Sequence, residues 1–139
     1  GMLMPIIKDK VHNLGLDDAV IFLGKTLKVS EYLQGMDLFL LPSLHEGLPV
    51  VLVEAQAAGL ICIVADTVAK EADLTGTSIY LPITSTDLWV KEIGKAEFVK
   101  IDRDEGSKKN IVLIKEKGYD IGQNADKLRQ IYVNACEEI

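Results

Sequence analysis

Two carboxylates eight positions apart in "HEGLPVVLVEA" (residues 45–55) are the residues best placed to do chemistry. Glu46 stands at the mouth of the segment, and Glu54 sits among Val50, Val51, Leu52, Val53, Ala55, Ala57 and Ala58. Helical spacing puts Glu54 on a face with Val50, Val51, Ala57 and Ala58, and the two alanines leave room beside it. Buried there without partners, an ionised carboxylate costs several kcal/mol or more, so the position calls for donors. An ionised carboxylate accepts only, and a pair of ligand hydroxyls satisfies it.

The start of that helix is chemically bare. Pro49 suits a first turn, but no Ser, Thr, Asp or Asn stands at Gly47 or Leu48 to cap it. The N–H groups near Val50 and Val51 are thus open to an oxyanion or a hydroxyl, and Gly47 admits close approach. Glu46 at a helix N-terminus gains about 0.3–1 kcal/mol from the dipole. Beside a bound phosphate it would repel, so with an anionic ligand it suits a neutral, hydroxylated part. A ribose diol, a diphosphate and a sugar meet all three demands, as in a nucleotide sugar. The residues alone leave other readings open: a core ion pair for Glu54, a dipole residue for Glu46, and an exposed loop residue for His45.

The elements that must position these groups follow from hydrophobic patterning. Short apolar runs at 19–24, 37–43, 60–66 and 78–82 read as strands, alternating with mixed segments that read as helices. Helices are expected up to Gly15, over 29–34 before Gly35, and from Leu48 to Ala58 before Gly59. A brief helical turn follows near 68–73, then helices at 86–96, 107–117 and 121–138. Thr84 with Asp87, and Asp120 with Gln123, have capping-box spacing. The fold class is therefore α/β, a Rossmann-like parallel sheet with flanking helices and a helical tail from about 85 to 139. In such a sheet ligands bind where strands end and helices begin, which is where "PSLHEG" lies. The polar stretch "KIDRDEGSKKN" (100–110) reads as a solvated loop or helix start. In the last helix Ile121, Ala125, Leu128, Tyr132, Ala135 and Ile139 form one apolar stripe that must cover something.

The 139 residues suit a single domain. A hydrophobic fraction of 48% against 26% charged residues is that of a soluble globular chain, with no run long enough to span a bilayer. The net charge of −6 argues against nucleic acid as a partner. Cys62 and Cys136 lack metal or disulfide spacing, and His12 and His45 are far apart, so no metal site is expected. No signal peptide is visible, which with reduced cysteines points to the cytoplasm. Gly1 before Met2 reads as a scar of tag removal.

"FLLPSLHEGLPVVLVEAQAAGLICIVAD" resembles the donor-binding segment of family 4 (group 1) glycosyltransferases. Their pattern is a strand, P-S-x-x-E-G-hydrophobic-P, a helix carrying E-A-x-A-x-G, and another strand. "LGLDDAVIFLG" and "VSEYLQGMDLFLLPS" are similar to the stretch before it, "KEADL" to the turn after the next strand and "LRQIY" to the closing helix; likeness weakens between about 84 and 120. The resemblance implies a GT-B fold, here the C-terminal nucleotide-sugar-binding domain, with an N-terminal acceptor domain and a phosphate-neutralising Arg/Lys unit outside this chain. It implies retaining transfer of a sugar from a nucleotide-diphosphate sugar, without metal or cofactor, in capsular or exopolysaccharide assembly. Glu46 would be the catalytic contact to the sugar's hydroxyls. Gly47, Leu48, Pro49 and Val50 would meet sugar and diphosphate, Glu54 would bind the ribose diol, and Lys25 and Thr26 would pack the nucleobase. Expected partners are the nucleotide sugar, the acceptor domain and, through it, a membrane or lipid-linked acceptor. The stripe on the last helix further predicts self-association of this chain, which alone should transfer nothing. A non-catalytic nucleotide-binding module on half of this fold, or a synthase or epimerase relative, is the alternative.

Overall fold

The computed structural model describes residues 2–96 and 102–137. Helix α1 (Met4–Asn13) has Pro5 in its first turn and ends at Leu14, followed by Gly15 at φ +66°. Helix α2 (Val29–Gln34) stops at Gly35, as the sequence predicts. Strands β1 (Leu38–Leu41), β2 (Ile61–Ala65) and β3 (Ile79–Leu81) then form one parallel sheet in the order β1-β2-β3. Helix α3 (Val50–Ala57) connects the first two strands, and a 3-10 turn (Lys70–Ala72) lies between the second and third. Helices α4 (Thr86–Ala96), α5 (Arg103–Glu116) and α6 (Ile121–Glu137) complete the Rossmann-like α/β architecture with its helical tail.

The core lies between sheet and helices. Leu52 and Ala55 of α3 pack with Cys62, Ile63 and Val64 of β2, together with Leu33, Val68 and Trp89. A second cluster of Val53, Leu74 and Ile114 joins α3 to α5. Helix α3 is therefore covered by the sheet on one side and by α5 on another, which explains why it is apolar around most of its circumference. Trp89 is buried and donates its indole N–H to the Pro82 carbonyl at 3.0 Å, folding α4 back on the end of β3.

The segment 19–24 is not a strand. Val20–Leu23 belong to no strand of the sheet, and Ile21 is 79% exposed. A strand exists only with a neighbour, and the open edge of β1 is not occupied by this segment. Helix α3 starts two residues later than expected, because Pro49, in an extended conformation, is its N-cap.

The polar stretch 102–110 is a helix start, one of its two expected forms, with Asp102, Asp104, Glu105, Lys108 and Lys109 exposed, but Arg103, Ser107 and Asn110 turn inward. The described part, residues 102–110, is capped by the Asp102 side chain, which accepts from Glu105 N, and so starts the helix four residues earlier than expected. Its first residue, Arg103, donates to the carbonyls of Leu33, Gln34, Met36 and Ala58, where α2 and α3 end. One fixed cation thus satisfies the orphan carbonyls of two helix C-termini. One turn later the Ser107 hydroxyl donates to Ala57 O, and the buried Asn110 amide donates to Gln56 O. Gly59, at φ +73°, permits this docking: a Cβ there would stand 2.8 Å from Arg103 O.

Asp120 caps α6 by accepting from Gln123 N at 3.0 Å, as its spacing predicts. That bond and the Lys115 ammonium hold its carboxyl below the usual range. From Ile121 to Cys136 every side chain of α6 is exposed, and α1 buries none of its own. Five members of the apolar stripe, Ile121, Ala125, Leu128, Tyr132 and Ala135, fall within that span, and Ile139 lies outside the described residues, as does the stretch 97–101. Among the described residues no helix is long and apolar enough to cross a membrane.

Candidate functional site

The loop "PSLHEGLP" emerges from the carboxyl end of β1, beside the turn that leaves β2. The two strands pair with Leu41 opposite Val64, and continuing that register places Ser43 opposite Asp66. Just past it, the Thr67 hydroxyl donates to the Ser43 carbonyl at 2.6 Å. The Ser43 hydroxyl in turn donates to Glu46 Oε1, also at 2.6 Å, within the short range of a charge-assisted O–H···O⁻ bond. Glu46 and Gly47 are exposed, and nothing stands within 4 Å of a Cβ built on Gly47. His45 is an exposed loop residue.

The loop then delivers the chain to α3. Pro49 is buried, whereas Leu48 and Val50 are 50% and 62% exposed. The N-cap makes no side-chain hydrogen bond, so the first-turn N–H groups of Val50 and Val51 have no capping oxygen from it. Such an end carries partial positive charge, and Glu46 precedes the N-cap by three residues.

Glu54 is not buried. The buried polar residue of α3 is Gln56, two positions on and therefore on nearly the opposite side of the helix. Its amide donates to Leu52 O and Ala72 O, and its carbonyl oxygen accepts from Leu74 N, Thr75 N and the Thr75 hydroxyl. With Gln56 turned inward, Glu54 must turn outward. The expected companions Val50, Ala57 and Ala58 do share its face, but that face borders an open groove of about 600 Å³. Ser30, Leu33 and Gln34 of α2 and Arg103, Ser107 and Ile111 of α5 form its other walls.

The structure therefore brings Glu54 together with α2 and α5, while Glu46–Val50 lie outside the groove at the sheet's carboxyl end. Lys25 is exposed just ahead of α2. Thr26 is half-buried and accepts from Lys28 N at 3.0 Å, a local bond that turns the chain into that helix. Sequence reasoning passed over Ser43, Thr67 and Gln56. Signals existed for Ser43, which stands in the P-S-x-x-E-G pattern, and for Gln56, the second polar side chain in an otherwise apolar helix.

The comparisons with known proteins agree with this architecture. Residues 3–96 match the family described as Glycosyl transferases group 1. Over 143 aligned positions, covering 99% of this chain and 36% of the relative, it is 35% identical to a Bacillus subtilis (strain 168) protein described as glycosyltransferase EpsF. It is 25% identical to the UDP-Gal:alpha-D-GlcNAc-diphosphoundecaprenol alpha-1,3-galactosyltransferase of Escherichia coli, over 88% of this chain and 32% of that one. A 53-residue portion is 49% identical to N-acetyl-alpha-D-glucosaminyl L-malate synthase of Bacillus anthracis, 38% of this chain and 14% of the relative. The chain thus spans about a third of the length of the first two relatives. It belongs to the group 1 glycosyltransferases.

Proposed function

We propose that this chain supplies the donor site of an enzyme that moves a sugar from a nucleotide-diphosphate sugar to an acceptor in polysaccharide assembly. The observation that carries the reading is the uncapped N-terminus of α3 at the sheet's carboxyl end, with Glu46 ahead of it and Glu54 further along its exposed side. In this reading the N–H groups of Val50 and Val51 meet the diphosphate, and the open surface at Gly47, Leu48 and Pro49 receives diphosphate and sugar. Glu46 accepts from the transferred sugar's hydroxyls, and Glu54 from the ribose diol. Lys25 and Thr26, before α2, lie toward the nucleobase.

The reading extends to what surrounds the site. An acceptor domain of the GT-B type faces it, the reaction retains anomeric configuration without metal or cofactor, and transfer takes place in the cytoplasm at the inner face of the membrane. The Escherichia coli relative supports the ligand classes, since its name specifies a UDP-sugar donor and a lipid-diphosphate-linked acceptor.

The test is a titration of the protein expressed from the complete gene with UDP-, GDP- and ADP-sugars. One nucleotide class should bind, and Glu54→Ala should weaken it about tenfold or more, the loss of one to two charge-assisted hydrogen bonds. Unchanged affinity in Glu54→Ala would remove the ribose assignment. Glu46→Ala should lower turnover of the sugar nucleotide while leaving affinity for the free nucleoside diphosphate intact. Equal loss of both affinities would remove its sugar-binding role.

A further inference from the structure

We infer that Ser43 and Thr67 are positioning residues that hold the Glu46 carboxylate in its working orientation. The inference rests on the reading of Glu46 as the sugar contact.

Glu46 occupies an exposed loop followed by an open glycine, where a side chain with three rotatable bonds would not keep one direction unaided. The bond from Ser43 Oγ restrains it by engaging Oε1. That leaves Oε2 and the second lone pair of Oε1 free to accept hydroxyls from a ligand. Ser43 is itself restrained: it is half-buried, follows Pro42, and its carbonyl is held by Thr67 Oγ1. Thr67 sits in the turn leaving β2, where Val68 is buried and its N–H bonds Ala65 O at 3.0 Å. A continuous path therefore runs from the rigid end of β2 through Thr67 and Ser43 to the carboxylate.

These bonds are poorly explained as stability devices. They are solvent-exposed hydroxyl bonds, whose net worth to folding is small. Their consequence is direction: fixing a group before substrate arrives lowers the barrier without tightening ground-state binding.

The experiment uses the protein expressed from the complete gene, with nucleoside diphosphate release from UDP-galactose, UDP-glucose, UDP-N-acetylglucosamine and GDP-mannose as the readout. Ser43→Ala should lower kcat roughly tenfold, and the near-isosteric Thr67→Val by a smaller factor, with donor KM and free nucleoside diphosphate affinity unchanged. Thr67→Ser, which keeps the donor, should restore wild-type kcat. In a Glu46→Ala background neither Ser43→Ala nor Thr67→Val should cost anything further, because both act through a carboxylate no longer present. Full activity of Ser43→Ala beside an impaired Glu46→Ala overturns the inference and leaves the reading of Glu46 intact. So does an undiminished Ser43→Ala effect in the Glu46→Ala background. An unimpaired Glu46→Ala overturns the reading itself, and the positioning role with it.

Discussion

Gln56 carries five side-chain hydrogen bonds in a site with no exposure to solvent, closing the backbone of Leu52, Ala72, Leu74 and Thr75 around α3. Gln56→Leu keeps the volume but leaves those buried groups without a partner, at about 1–3 kcal/mol for each that water cannot reach. We expect a loss of about 3 kcal/mol or more, read as a lower urea midpoint at unchanged slope. A buried amide and an outward carboxylate look alike in a one-dimensional pattern. Both are polar residues in a greasy helix, and only the location of α5 and of the 73–75 loop decides which turns inward. For that reason the Glu54 face was legible but its burial was not. Cys62 gives a second residue-scale test. Burial, and then the nearby Asp73 charge, push its thiol up to about 12 from 9.0. A raised folded pKa means the native state retains a proton the unfolded chain releases, so Cys62's contribution is complete below about pH 9 and is lost toward about pH 12. At mildly alkaline pH the native chain should therefore expose one rapidly reacting thiol, Cys136, and two after denaturation in urea. Two fast thiols in the native protein would refute the packing around β2.

Helix α5 is held by polar groups on one side and by the absence of a side chain on the other. Arg103 supplies N–H donors to four carbonyls at the ends of α2 and α3, and Gly59 lets the two backbones touch. Arg103→Met retains much of the apolar stem but removes every donor, and should cost about 3 kcal/mol. Gly59→Ala combines an unfavourable left-handed backbone with a contact no Cβ tolerates, and should cost at least about 2 kcal/mol. Both should raise amide exchange in α5 before that of β2, and uniform exchange across the chain would show that α5 is not a separable unit. The pattern of success at this scale has a physical origin. Helices α2, α4 and α6 were legible because their periodicity and, for α6, the Asp120 cap are local. The 19–24 run was misread because β structure depends on a partner, which no local pattern supplies. Arg103, Ser107 and Asn110 read as solvated because their acceptors are carbonyls more than forty positions away.

At the scale of the molecule, surface area is the informative quantity. The chain exposes 10467 Å², against roughly 7,100 Å² expected of a compact monomer of its 15.3 kDa mass. The excess of about 3,000 Å² exceeds the roughly 1,600 Å² buried in total by a standard stable interface. Large exposed apolar side chains at the two ends of the chain contribute to it. Leu3, Ile6 and Leu14 on or beside α1 are 61–67% exposed, and Leu128, Ile131 and Tyr132 on α6 are 53–66% exposed. Contiguous apolar surface of this kind drives association in water, and the −6 net charge sets only a modest repulsion against it at physiological salt. The 139-residue chain by itself should therefore self-associate, with a weight-average mass in sedimentation equilibrium that rises with concentration. Leu128→Glu with Tyr132→Glu should shift the distribution toward monomer without lowering the urea midpoint, because neither side chain is part of the core. Added salt should strengthen association in the wild-type chain, where burial of apolar area dominates over charge. A concentration-independent monomer with α6 amides protected from exchange would instead mean that α6 folds against its own domain, and the exposed stripe would have no role as a contact surface.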